Sequence, residues 1–546
     1  MAVVHSEAGK LPKIDKLEHI PSLICAYYTE FPDISITGQC VSFGTSGHRG
    51  SSRFHSFNEE HIYAITQAVC DYRKANNIDG PLFIGKDTHA LSEAAFRSAL
   101  EVLVANDVTV YVAKNGSFTA TPVMSHAIIQ WNKGRTNGFA DGIIITPSHN
   151  PPSDGGFKYN PPHGGPADTN VTSFIEKEAN KYLENGNKDV KITNLLTAIS
   201  SPLIKEYDYT SRYVDDLANV LDMESIAKSG LSLGVDPLGG ASISLWDQIA
   251  DKYNLDLTVV NKEVDSTFRF VPLDKDGLIR MDCSSPYAMN RLLDLRSDFD
   301  LAFACDPDAD RHGIVTPKEL MNPNHYLSVA AWYLLKTRQQ WKNCAIGKTL
   351  VTTEMLNRIA KDLGHELYEV PVGFKWFVPY LISGKCGFTC EESAGASFLE
   401  FDGSAWTTDK DGPLMCLLAA EMTAKEGKSP SNLYEDLIKK YGEPLYQRLD
   451  APADDNVRAK LKGLNAEHIT MKTLAGSEIT SIQTKASGNN ESIGGVKVST
   501  NDGWFAVRPS GTESICKVYT ESFKDENHLD KLQKEAIKFL EDLFKS

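Results

Sequence analysis

The sequence Ile143-Ile144-Ile145-Thr146-Pro147-Ser148-His149-Asn150-Pro151-Pro152 joins an apolar run directly to a proline-rich loop. A short apolar, β-branched run bounded by turn-forming residues is typical of a buried strand. The prolines prevent a helix from continuing, because each fixes φ and lacks an amide donor. We therefore expect Ser148 on a rigid loop at the end of a strand, with the potential proton carrier His149 beside it. An ordinary proline-rich turn with a capping serine is the alternative explanation of this stretch.

Outward from this stretch, strand-like runs alternate with amphipathic segments over most of the chain. Before it, residues 81–85 are typical of a strand, residues 92–106 of a helix and residues 108–112 of a second strand. Further strand-like runs occur later, at residues 231–235, 255–260 and 301–305. Strands that alternate with helical patterns indicate α/β layers with largely parallel sheets.

The C-terminal part of the chain follows a different pattern. Short strand-like runs at residues 479–484, 495–499 and 504–508 precede a helical pattern from about residue 526 to residue 543. This pattern predicts a smaller α+β unit.

A chain of 546 residues is long enough for roughly three to four domains. We predict four domains, of which the first three are α/β and the last is α+β. Their expected bounds are residues 1–205, 206–320, 321–440 and 441–546.

Composition limits the class of partner. Hydrophobic residues make up 41% of the chain and charged residues 23%, as in an ordinary soluble globular protein. The formal net charge of −16 argues against nucleic acid or an anionic membrane as the main partner. An anionic small substrate remains compatible with this charge, because it needs only a local basic pocket.

The sequence also bears on the expected compartment. The N-terminus lacks a basic stretch followed by an apolar core, which a signal peptide would have. The longest apolar-looking stretch, residues 326–335, is ten residues long and too short to cross a bilayer. Ten scattered cysteines without a CxxC pair indicate buried, reduced thiols. We therefore expect a cytoplasmic protein.

A second candidate site follows another strand-like run and contains Asp306, Asp308 and Asp310. Three carboxylates at alternate positions of one loop converge only if a cation offsets their repulsion. Hard oxygen ligands without cysteine favour Mg²⁺, with Mn²⁺ as a substitute. An EF-hand is excluded, because Arg311 and Pro317 stand where that loop needs Gly and Glu. A solvated acidic turn is the alternative.

The third candidate segment is Cys390-Glu391-Glu392-Ser393-Ala394-Gly395. Alternation along an extended segment would place Glu391 and Ser393 on one side, where such acceptor and donor groups suit sugar hydroxyls. A surface acidic turn is the alternative for this segment.

The fourth candidate segment, residues 508–513, follows a strand-like run and contains Arg508, Ser510, Gly511 and Thr512. Arginine supplies a planar fork for phosphate oxygens, while hydroxyls and loop amides fill the remaining positions. This pattern predicts a phosphate-binding loop, with a turn that bears a surface arginine as the alternative.

Nucleotide-binding motifs are excluded. Gly347-Lys348-Thr349 resembles the end of a P-loop, but Lys342 stands where a glycine is required. The chain has no dinucleotide fingerprint. The four candidate segments, about one per predicted domain, together indicate phosphoryl transfer on a phosphorylated, hydroxyl-rich molecule.

At these residues the chain resembles the α-D-phosphohexomutase family, and most closely its bacterial-type, glucose-specific branch. The motifs that carry the resemblance are residues 43–50, 84–87, 146–152, 156–160, 306–313, 372–375, 391–395 and 508–513. They cover nearly the whole chain, and their order and spacing fit the family. The resemblance implies four domains around a central cleft, three with related α/β cores and a fourth of a different type.

The resemblance also implies a reaction, the interconversion of α-D-glucose 1-phosphate and D-glucose 6-phosphate. Ser148 would carry a phosphoryl group in the resting enzyme, donate it to the substrate and then take back the other one. Glucose 1,6-bisphosphate would be the intermediate and activator. A covalent carrier splits a difficult intramolecular transfer into two in-line steps. The expected ligands are small hexose phosphates, and the expected assembly is a monomer or a homodimer.

The resemblance assigns roles to the candidate residues. The implied ligands of one Mg²⁺ per subunit are phosphorylated Ser148, Asp306, Asp308 and Asp310. Arg311 would add positive charge near the transferring group. The implied substrate-binding residues are Gly373, Lys375, Glu391, Ser393, Arg508, Ser510, Gly511 and Thr512.

Four residues are candidates for proton transfer. Lys158 and Arg49 match family positions implicated in this step, and His149 is adjacent to Ser148 in sequence, where a scaffold role is the alternative. Some relatives have a histidine just after the third candidate segment, where this chain has Ala396-Ser397-Phe398. Lys410 is therefore the expected substitute. A lysine that acts as a base needs a lowered pKa.

Three alternatives to this function remain open. A phosphomannomutase or phosphoglucosamine mutase would share the motifs, as would an inactive sugar-phosphate-binding protein. The presence of Ser148 and of all three aspartates argues against the inactive form. A plain phosphatase would release free phosphate instead of an isomer.

Overall fold

The computed structural model describes residues 4–44, 47–469, 471–509 and 515–545. Within these residues, four principal sheets follow one another along the chain, each with its own helices. The first three sheets combine parallel and antiparallel strands, and the fourth is antiparallel. The predicted fold class, three mixed α/β domains followed by a smaller α+β domain, is confirmed.

Domain I contains a seven-stranded sheet with strand order β1-β2-β6-β5-β3-β4-β7. Its elements are α1 (Ile20–Thr29), β1 (Phe43–Gly44), β2 (Gly47–Gly50), α2 (Glu59–Ala75), β3 (Leu82–Lys86), α3 (Ala90–Ala105), β4 (Val110–Ala113), α4 (Thr121–Asn132), β5 (Asp141–Ile145), β6 (Gly155–Asn160), α5 (Thr169–Glu184), α6 (Leu195–Ile199) and β7 (Ile204–Tyr207). Strands β5, β3, β4 and β7 are parallel, and β6 returns antiparallel to β5.

The apolar run at the end of β5 is buried on both faces of this sheet. Ile143 and Ile145 pack into a cluster with residues of α2, α3 and α5. Ile144 packs on the opposite face with Phe83 and Met124. A strand that is covered on both sides has a continuous apolar sequence instead of an alternating one.

Domains II and III each contain a four-stranded mixed sheet, with strand orders β11-β10-β8-β9 and β13-β12-β14-β15. Domain II consists of α7 (Tyr209–Asp216), α8 (Met223–Ser229), β8 (Leu233–Asp236), α9 (Ile243–Tyr253), β9 (Leu257–Val259), α10 (Asn290–Asp294), β10 (Leu301–Cys305) and β11 (His312–Val315). Domain III consists of α11 (Pro323–Thr337), β12 (Ala345–Thr349), α12 (Met355–Leu363), β13 (Leu367–Val370), α13 (Val378–Ile382), β14 (Cys386–Glu391), β15 (Gly395–Phe398), α14 (Gly412–Glu426) and α15 (Pro430–Tyr441).

Domain IV contains a five-stranded antiparallel sheet with strand order β16-β22-β21-β20-β19. Its elements are β16 (Leu445–Pro452), α16 (Asp455–Lys462), β17 (Thr473–Leu474), β18 (Ser477–Glu478), β19 (Ser481–Lys485), β20 (Ser492–Ser499), β21 (Gly503–Pro509), β22 (Ile515–Ser522) and α17 (Glu526–Lys545). The sequence patterns indicated β19, β20, β21 and α17 but not β16 or β22. Charged residues interrupt both of these strands, so their apolar alternation is weak.

The same hairpin recurs in the first three domains. A parallel strand runs through a tight loop into an antiparallel partner in β5–β6, β10–β11 and β14–β15. Each loop contains one non-glycine residue with a left-handed backbone, namely Ser148 (φ 63°), Ala309 (φ 57°) and Ala394 (φ 66°). These three loops contain the first three candidate segments of the sequence.

The first three domains share one continuous apolar core, to which residues such as Met124, Trp246 and Trp406 contribute. The N-terminal segment spans two of these domains. His5 and Gly9 donate backbone hydrogen bonds to Lys275 and Leu273 of domain II, whereas α1 packs into domain I. Among the described residues, no helix combines the length and the apolar character needed to cross a membrane.

Candidate active site

The loop between β5 and β6 holds Ser148 in a buried position, with 1% of its surface exposed. The Ser148 amide donates a hydrogen bond to Thr146 Oγ1 (2.8 Å), and Thr146 Oγ1 donates to Asp87 Oδ2 (2.7 Å). A left-handed backbone is unfavourable for a residue with a Cβ atom. The loop thus turns the Ser148 side chain away from the strand by a conformation that local hydrogen bonds support.

The Ser148 hydroxyl points at the second candidate segment. Ser148 Oγ donates to Asp306 Oδ2 at 2.6 Å, although the two residues lie in different domains. Asp306, Asp308 and Asp310 each offer a carboxylate oxygen, and these atoms lie within 4.8 Å of one another. All three side chains are buried, so the predicted loop is a buried acidic cluster and not a solvated turn.

The donor set of this cluster fits a divalent cation. The Oδ1 atoms of Asp308 and Asp310 are buried and have no hydrogen-bond partner among the described residues. Burial raises the pKa of Asp306 well above its usual range, and repulsion from Asp308 and Asp310 raises it further. Buried carboxylates with free oxygens and mutual repulsion are stabilised by a metal ion. The three aspartates thus form a group that can hold a metal.

Two lysines from other domains contact the cluster. Lys158 Nζ lies 2.6 Å from Asp308 Oδ2 and 3.1 Å from Asp310 Oδ2, and Lys410 Nζ lies 3.0 Å from Asp310 Oδ2. Burial lowers the pKa of both lysines, but the neighbouring carboxylates outweigh it and raise the pKa above its usual value. Both lysines are therefore protonated here, which favours a role as cation or proton donor over that of a base.

Three further candidates surround Ser148. His149 Nδ1 lies 3.4 Å from Ser148 Oγ, and burial together with Arg311 lowers the pKa of His149 well below its usual range. The Arg311 amide donates to Asp306 Oδ1 (3.0 Å), and Arg49 donates to Asn150 Oδ1 (3.2 Å). The lowered pKa favours the neutral imidazole, because burial and the positive charges of Arg311 and Arg49 oppose its protonation.

Sequence reasoning gave no role to several residues of this site. Thr121, the first residue of α4, donates from Oγ1 to Asp308 Oδ2 (2.6 Å) and from its amide to the Asp308 carbonyl (2.8 Å). Asn160 donates to Asp409 Oδ2 (3.2 Å) across the boundary between domains I and III. No pattern marks Thr121 in the sequence, because its partner lies 187 residues away.

The third candidate segment differs from the expectation of an extended segment. Glu391 ends β14, but Ser393 lies in the turn that leads to β15, because Glu391 pairs with Gly395 across the hairpin. Glu391 Oε1 accepts a hydrogen bond from the Gly373 amide (3.0 Å). Burial raises the pKa of Glu391 to about 7, although Lys410 lowers it. The segment is therefore not extended throughout, and a shared side for Glu391 and Ser393 stays a prediction.

Two further predicted substrate-binding residues, Lys375 and Arg508, lie in domains III and IV. Lys375 Nζ donates to Thr169 Oγ1 (2.9 Å) at the start of α5, so this lysine bridges domains III and I. Arg508 lies on β21, where it pairs with Lys517 of β22. Burial, together with the Glu392 carboxylate, raises the pKa of Tyr519 to about 12. Three predicted phosphate-loop residues lie outside the described residues, namely Ser510, Gly511 and Thr512.

Comparisons with known proteins agree with this geometry. The chain matches four models of the family described as phosphoglucomutase/phosphomannomutase, namely alpha/beta/alpha domain I at residues 41–186, domain II at 211–319, domain III at 322–441 and the C-terminal domain at 456–539. A phosphoglucomutase of Komagataeibacter xylinus is 55% identical over 98% of this chain and 97% of its own length. Phosphoglucomutase 1 of Drosophila melanogaster is 26% identical over 89% of this chain and 91% of its own.

Solved structures show the same fold. An open form of parafusin, a phosphoglucomutase from Paramecium, matches with a TM-score of 0.72 at 19% identity, covering 94% of this chain and 96% of the other. A phosphoglucomutase/phosphomannomutase family protein from Burkholderia thailandensis matches with a TM-score of 0.68 at 18% identity, covering 92% and 98%. Because all four domain models match in order and a 55% identical relative spans almost the whole chain, this protein belongs to the phosphoglucomutase/phosphomannomutase family.

Proposed function

We propose that this protein is a phosphoglucomutase that interconverts α-D-glucose 1-phosphate and D-glucose 6-phosphate. The observation that carries the proposal is the position of Ser148 Oγ, 2.6 Å from Asp306 in a buried cluster that also includes Asp308 and Asp310. A buried serine beside a metal-type carboxylate cluster suits a phosphoryl carrier. The 55% identity to a phosphoglucomutase favours glucose phosphates as substrates.

In the proposed reaction, Ser148 carries a phosphoryl group on Oγ. The free hydroxyl of glucose 1-phosphate attacks this phosphorus, the bond from phosphorus to Oγ breaks, and glucose 1,6-bisphosphate forms. The hydroxyl proton leaves, and Ser148 Oγ gains a proton. After the intermediate has turned over, Ser148 Oγ attacks the phosphorus on O1, the bond from this phosphorus to O1 breaks, and O1 gains the proton that the serine loses. This step restores the phosphoserine and releases glucose 6-phosphate.

In this scheme, the residues around Ser148 have different roles. Asp306, Asp308 and Asp310, with a phosphoserine oxygen, would hold Mg²⁺. The ion would supply positive charge to the oxygens of the transferring group. The protonated lysines Lys158 and Lys410 add positive charge to the same region and can donate a proton. The neutral imidazole of His149, whose Nδ1 lies 3.4 Å from Ser148 Oγ, would orient the serine hydroxyl by a hydrogen bond.

Substrate binding falls to domains III and IV. Glu391 and Ser393 would bind sugar hydroxyls beside the Gly373 amide, and Lys375 would attract a phosphate. Arg508 would hold the phosphate that does not react, together with Ser510, Gly511 and Thr512. Arg49 and Arg311 would stabilise the charge of the transferring group.

A coupled assay on wild type and Ser148→Ala tests the proposal. With glucose 1-phosphate, Mg²⁺ and a trace of glucose 1,6-bisphosphate, the wild type should form glucose 6-phosphate. Ser148→Ala should lose at least about a thousandfold of this rate, because the carrier is gone. Ser153→Ala, a change in the same loop, should keep the wild-type rate.

The same assay separates the alternatives. Faster conversion of mannose 1-phosphate or glucosamine 1-phosphate would replace the glucose assignment, and release of inorganic phosphate would indicate a phosphatase. A phosphorylated Ser148 peptide in the mass spectrum of the wild type would support the carrier role independently of turnover.

A further inference from the structure

The segment between β3 and α3 places two buried charged residues beside residues 146–154, the loop between β5 and β6 that is here called the Ser148 loop. Asp87 and His89 are exposed by 1% and 2% of their surface. Asp87 Oδ1 accepts from Ser92 Oγ (2.6 Å) and from the His89 amide (3.0 Å). Asp87 Oδ2 faces His89 Nδ1 (2.8 Å) and accepts from Thr146 Oγ1 (2.7 Å). Both carboxylate oxygens are therefore fully used in holding neighbouring groups.

His89 continues this arrangement to the far side of the loop. Its Nε2 lies 3.0 Å from the Asn150 carbonyl, while its Nδ1 faces the Asp87 carboxylate. Both partners are acceptors, so both ring nitrogens of His89 carry a proton. Together with the bond from the Ser148 amide to Thr146 Oγ1 (2.8 Å), the contacts hold residues two before and two after Ser148.

The same segment contacts domain II, which carries the aspartate cluster. The His89 ring lies 4.8 Å from the Phe268 ring, and Ser266 Oγ donates to the Thr88 carbonyl (2.9 Å). The position of the Ser148 loop is thus tied both to its own domain and to the domain of Asp306. A small shift of this segment would change the 2.6 Å contact between Ser148 and Asp306.

We propose that Asp87, His89 and Thr146, here called the Asp87 network, are positioning residues that hold Ser148 in its left-handed conformation facing Asp306. The proposal rests on the proposed function, since it concerns phosphoryl transfer at Ser148. Among the described residues, none of the three side chains hydrogen-bonds to Ser148 Oγ or to the aspartate cluster. They act by fixing the direction of the nucleophile, and a misplacement of about 1 Å in such a site can cost about a hundredfold in rate.

Because of its position, the network should affect the rate of phosphoryl transfer but not the binding of the substrate. The proposed sugar and phosphate contacts come from domains III and IV, whereas the network lies in domain I and packs against domain II. Disturbing it should therefore lower kcat and leave KM for glucose 1-phosphate within about twofold. A residue that only stabilised the fold would change neither constant per folded molecule.

Four variants test the network in the full-length protein. Asp87→Asn replaces a carboxylate oxygen, which accepts hydrogen bonds from the neighbouring groups, with an NH₂ group that cannot accept them. Thr146→Val removes the hydroxyl that links Asp87 to the Ser148 amide. Each should lower kcat by about 30- to 100-fold. Thr146→Ser keeps the hydroxyl and should stay within about threefold of wild type. The double variant Asp87→Asn/Thr146→Val should be no slower than the slower single variant, because both act through one link.

Asp141→Asn is the matched control. Asp141 is a fully buried aspartate at the opposite end of β5, where it pairs with Arg73 Nε (2.9 Å) and accepts from Tyr159 (2.7 Å). Its loss disturbs a buried charge of the same domain without touching the Ser148 loop. Its melting temperature should fall at least as far as that of Asp87→Asn, with kcat within about threefold of wild type.

Crystal structures of Asp87→Asn and Thr146→Val provide a readout that does not depend on activity. We expect Ser148 to leave the left-handed region, or Ser148 Oγ to move by more than about 1 Å relative to Asp306. An unmoved loop, an equal loss of kcat in Asp141→Asn, or additive losses in the double variant would each overturn the inference. A wild type without transfer would refute the proposed function instead, and the crystal structures would still decide whether the network positions the loop.

Discussion

At the scale of single residues, the site is a set of buried charges that depend on one another. Asp306, Asp308 and Asp310 repel each other, while Lys158 and Lys410 offset part of their charge. Buried ion clusters lose stability when one member is removed, because the remaining charge stays buried without a partner. The identity of each residue therefore affects both metal binding and the fold.

Asp308→Asn should weaken the binding of Mg²⁺ by at least about tenfold, since it replaces a charged ligand with a neutral one. Isothermal titration calorimetry on the metal-free protein measures this affinity. Asp236→Asn, a buried aspartate at the end of β8 outside the cluster, is the control and should bind Mg²⁺ like wild type. Equal affinities of the Asp308→Asn and wild-type proteins would contradict the assignment of the cluster as a metal site.

Glu391→Gln should raise stability at alkaline pH and lower activity. Burial raises the pKa of Glu391 to about 7 from an ordinary 4.5, so the folded protein holds this proton more tightly than the unfolded chain. The resulting stabilisation is complete below about pH 4.5 and is lost as pH rises through about 7. Because glutamine stays neutral, the variant should gain on the order of 3 kcal/mol over wild type between pH 4.5 and pH 8.

Thermal unfolding of wild type and Glu391→Gln at several pH values measures this gain. The variant should also lose about 10- to 100-fold in kcat/KM, because a charged acceptor for sugar hydroxyls is gone. Glu366→Gln, at an exposed carboxylate of the same domain, should leave both quantities unchanged. A stability difference that does not grow with pH would argue against a raised pKa at Glu391.

At the scale of elements, the hairpin β14–β15 shows how backbone packing directs a side chain of the site. Gly395 pairs with Glu391, and a Cβ atom at Gly395 would meet Lys410 Cδ at 2.2 Å. Only a glycine leaves room for the Lys410 stem on its way to Asp310. The hairpin therefore positions two candidate residues at once, one by register and one by the space it leaves open.

Gly395→Ala should displace Lys410 and lower kcat by about 10- to 100-fold, with a stability change of only about 1–3 kcal/mol because the crowded group is a flexible side chain. Steady-state kinetics and thermal unfolding measure the two effects. Lys410→Met alone should be at least as slow, and the double variant should be no slower than Lys410→Met. Gly38→Ala, at a site with no atom within 4 Å of the added Cβ, should behave like wild type.

At the scale of the whole molecule, domain IV is joined to domain III differently from the way the first three domains are joined. Domains I, II and III share one apolar core, whereas domain IV meets domain III in a small cluster that includes Val351 and Trp504. Charges add to this interface. Lys497 Nζ lies 2.9 Å from Glu369 Oε2 and 3.1 Å from Glu354 Oε1. A small apolar cluster and these ion pairs therefore hold domain IV, which contains Arg508, against domain III.

Lys497→Met should destabilise the contact between domains III and IV by about 1–3 kcal/mol, since it removes the buried cation shared by Glu369 and the partly buried Glu354 and leaves Lys348, 3.4 Å from Glu369 Oε2, to offset their charge. Limited proteolysis and thermal unfolding should report an earlier transition for domain IV, and KM for glucose 1-phosphate should rise. Lys524→Met removes a surface ion pair with Asp502 in the same domain and should cost less than about 1 kcal/mol. Equal effects of the two variants would contradict a special role for the Lys497 cluster.

The sequence by itself determined the fold class, the order of the domains and most of the residue types of the site. Continuous apolar runs such as 143–145 and 301–305 mark strands buried on both faces, and short polar motifs directly after them mark the loops at their ends. These signals are local, because a strand and the loop that follows it are neighbours in the chain. Strands β16 and β22 were missed because charged residues interrupt their apolar alternation, so their local signal is weak.

Only the tertiary structure decided which groups meet. The contact between Ser148 and Asp306 joins residues 158 positions apart, and Thr121 reaches Asp308 over 187 positions. Hairpin register, a non-local property of two strands, moved Ser393 into a turn instead of leaving it beside Glu391 on an extended segment. Burial raises the pKa of Glu391, whereas aspartates of domain II raise the pKa of Lys158 and Lys410 against the effect of burial. Such distances and dielectric surroundings arise only when the chain folds, so no local sequence pattern contains them.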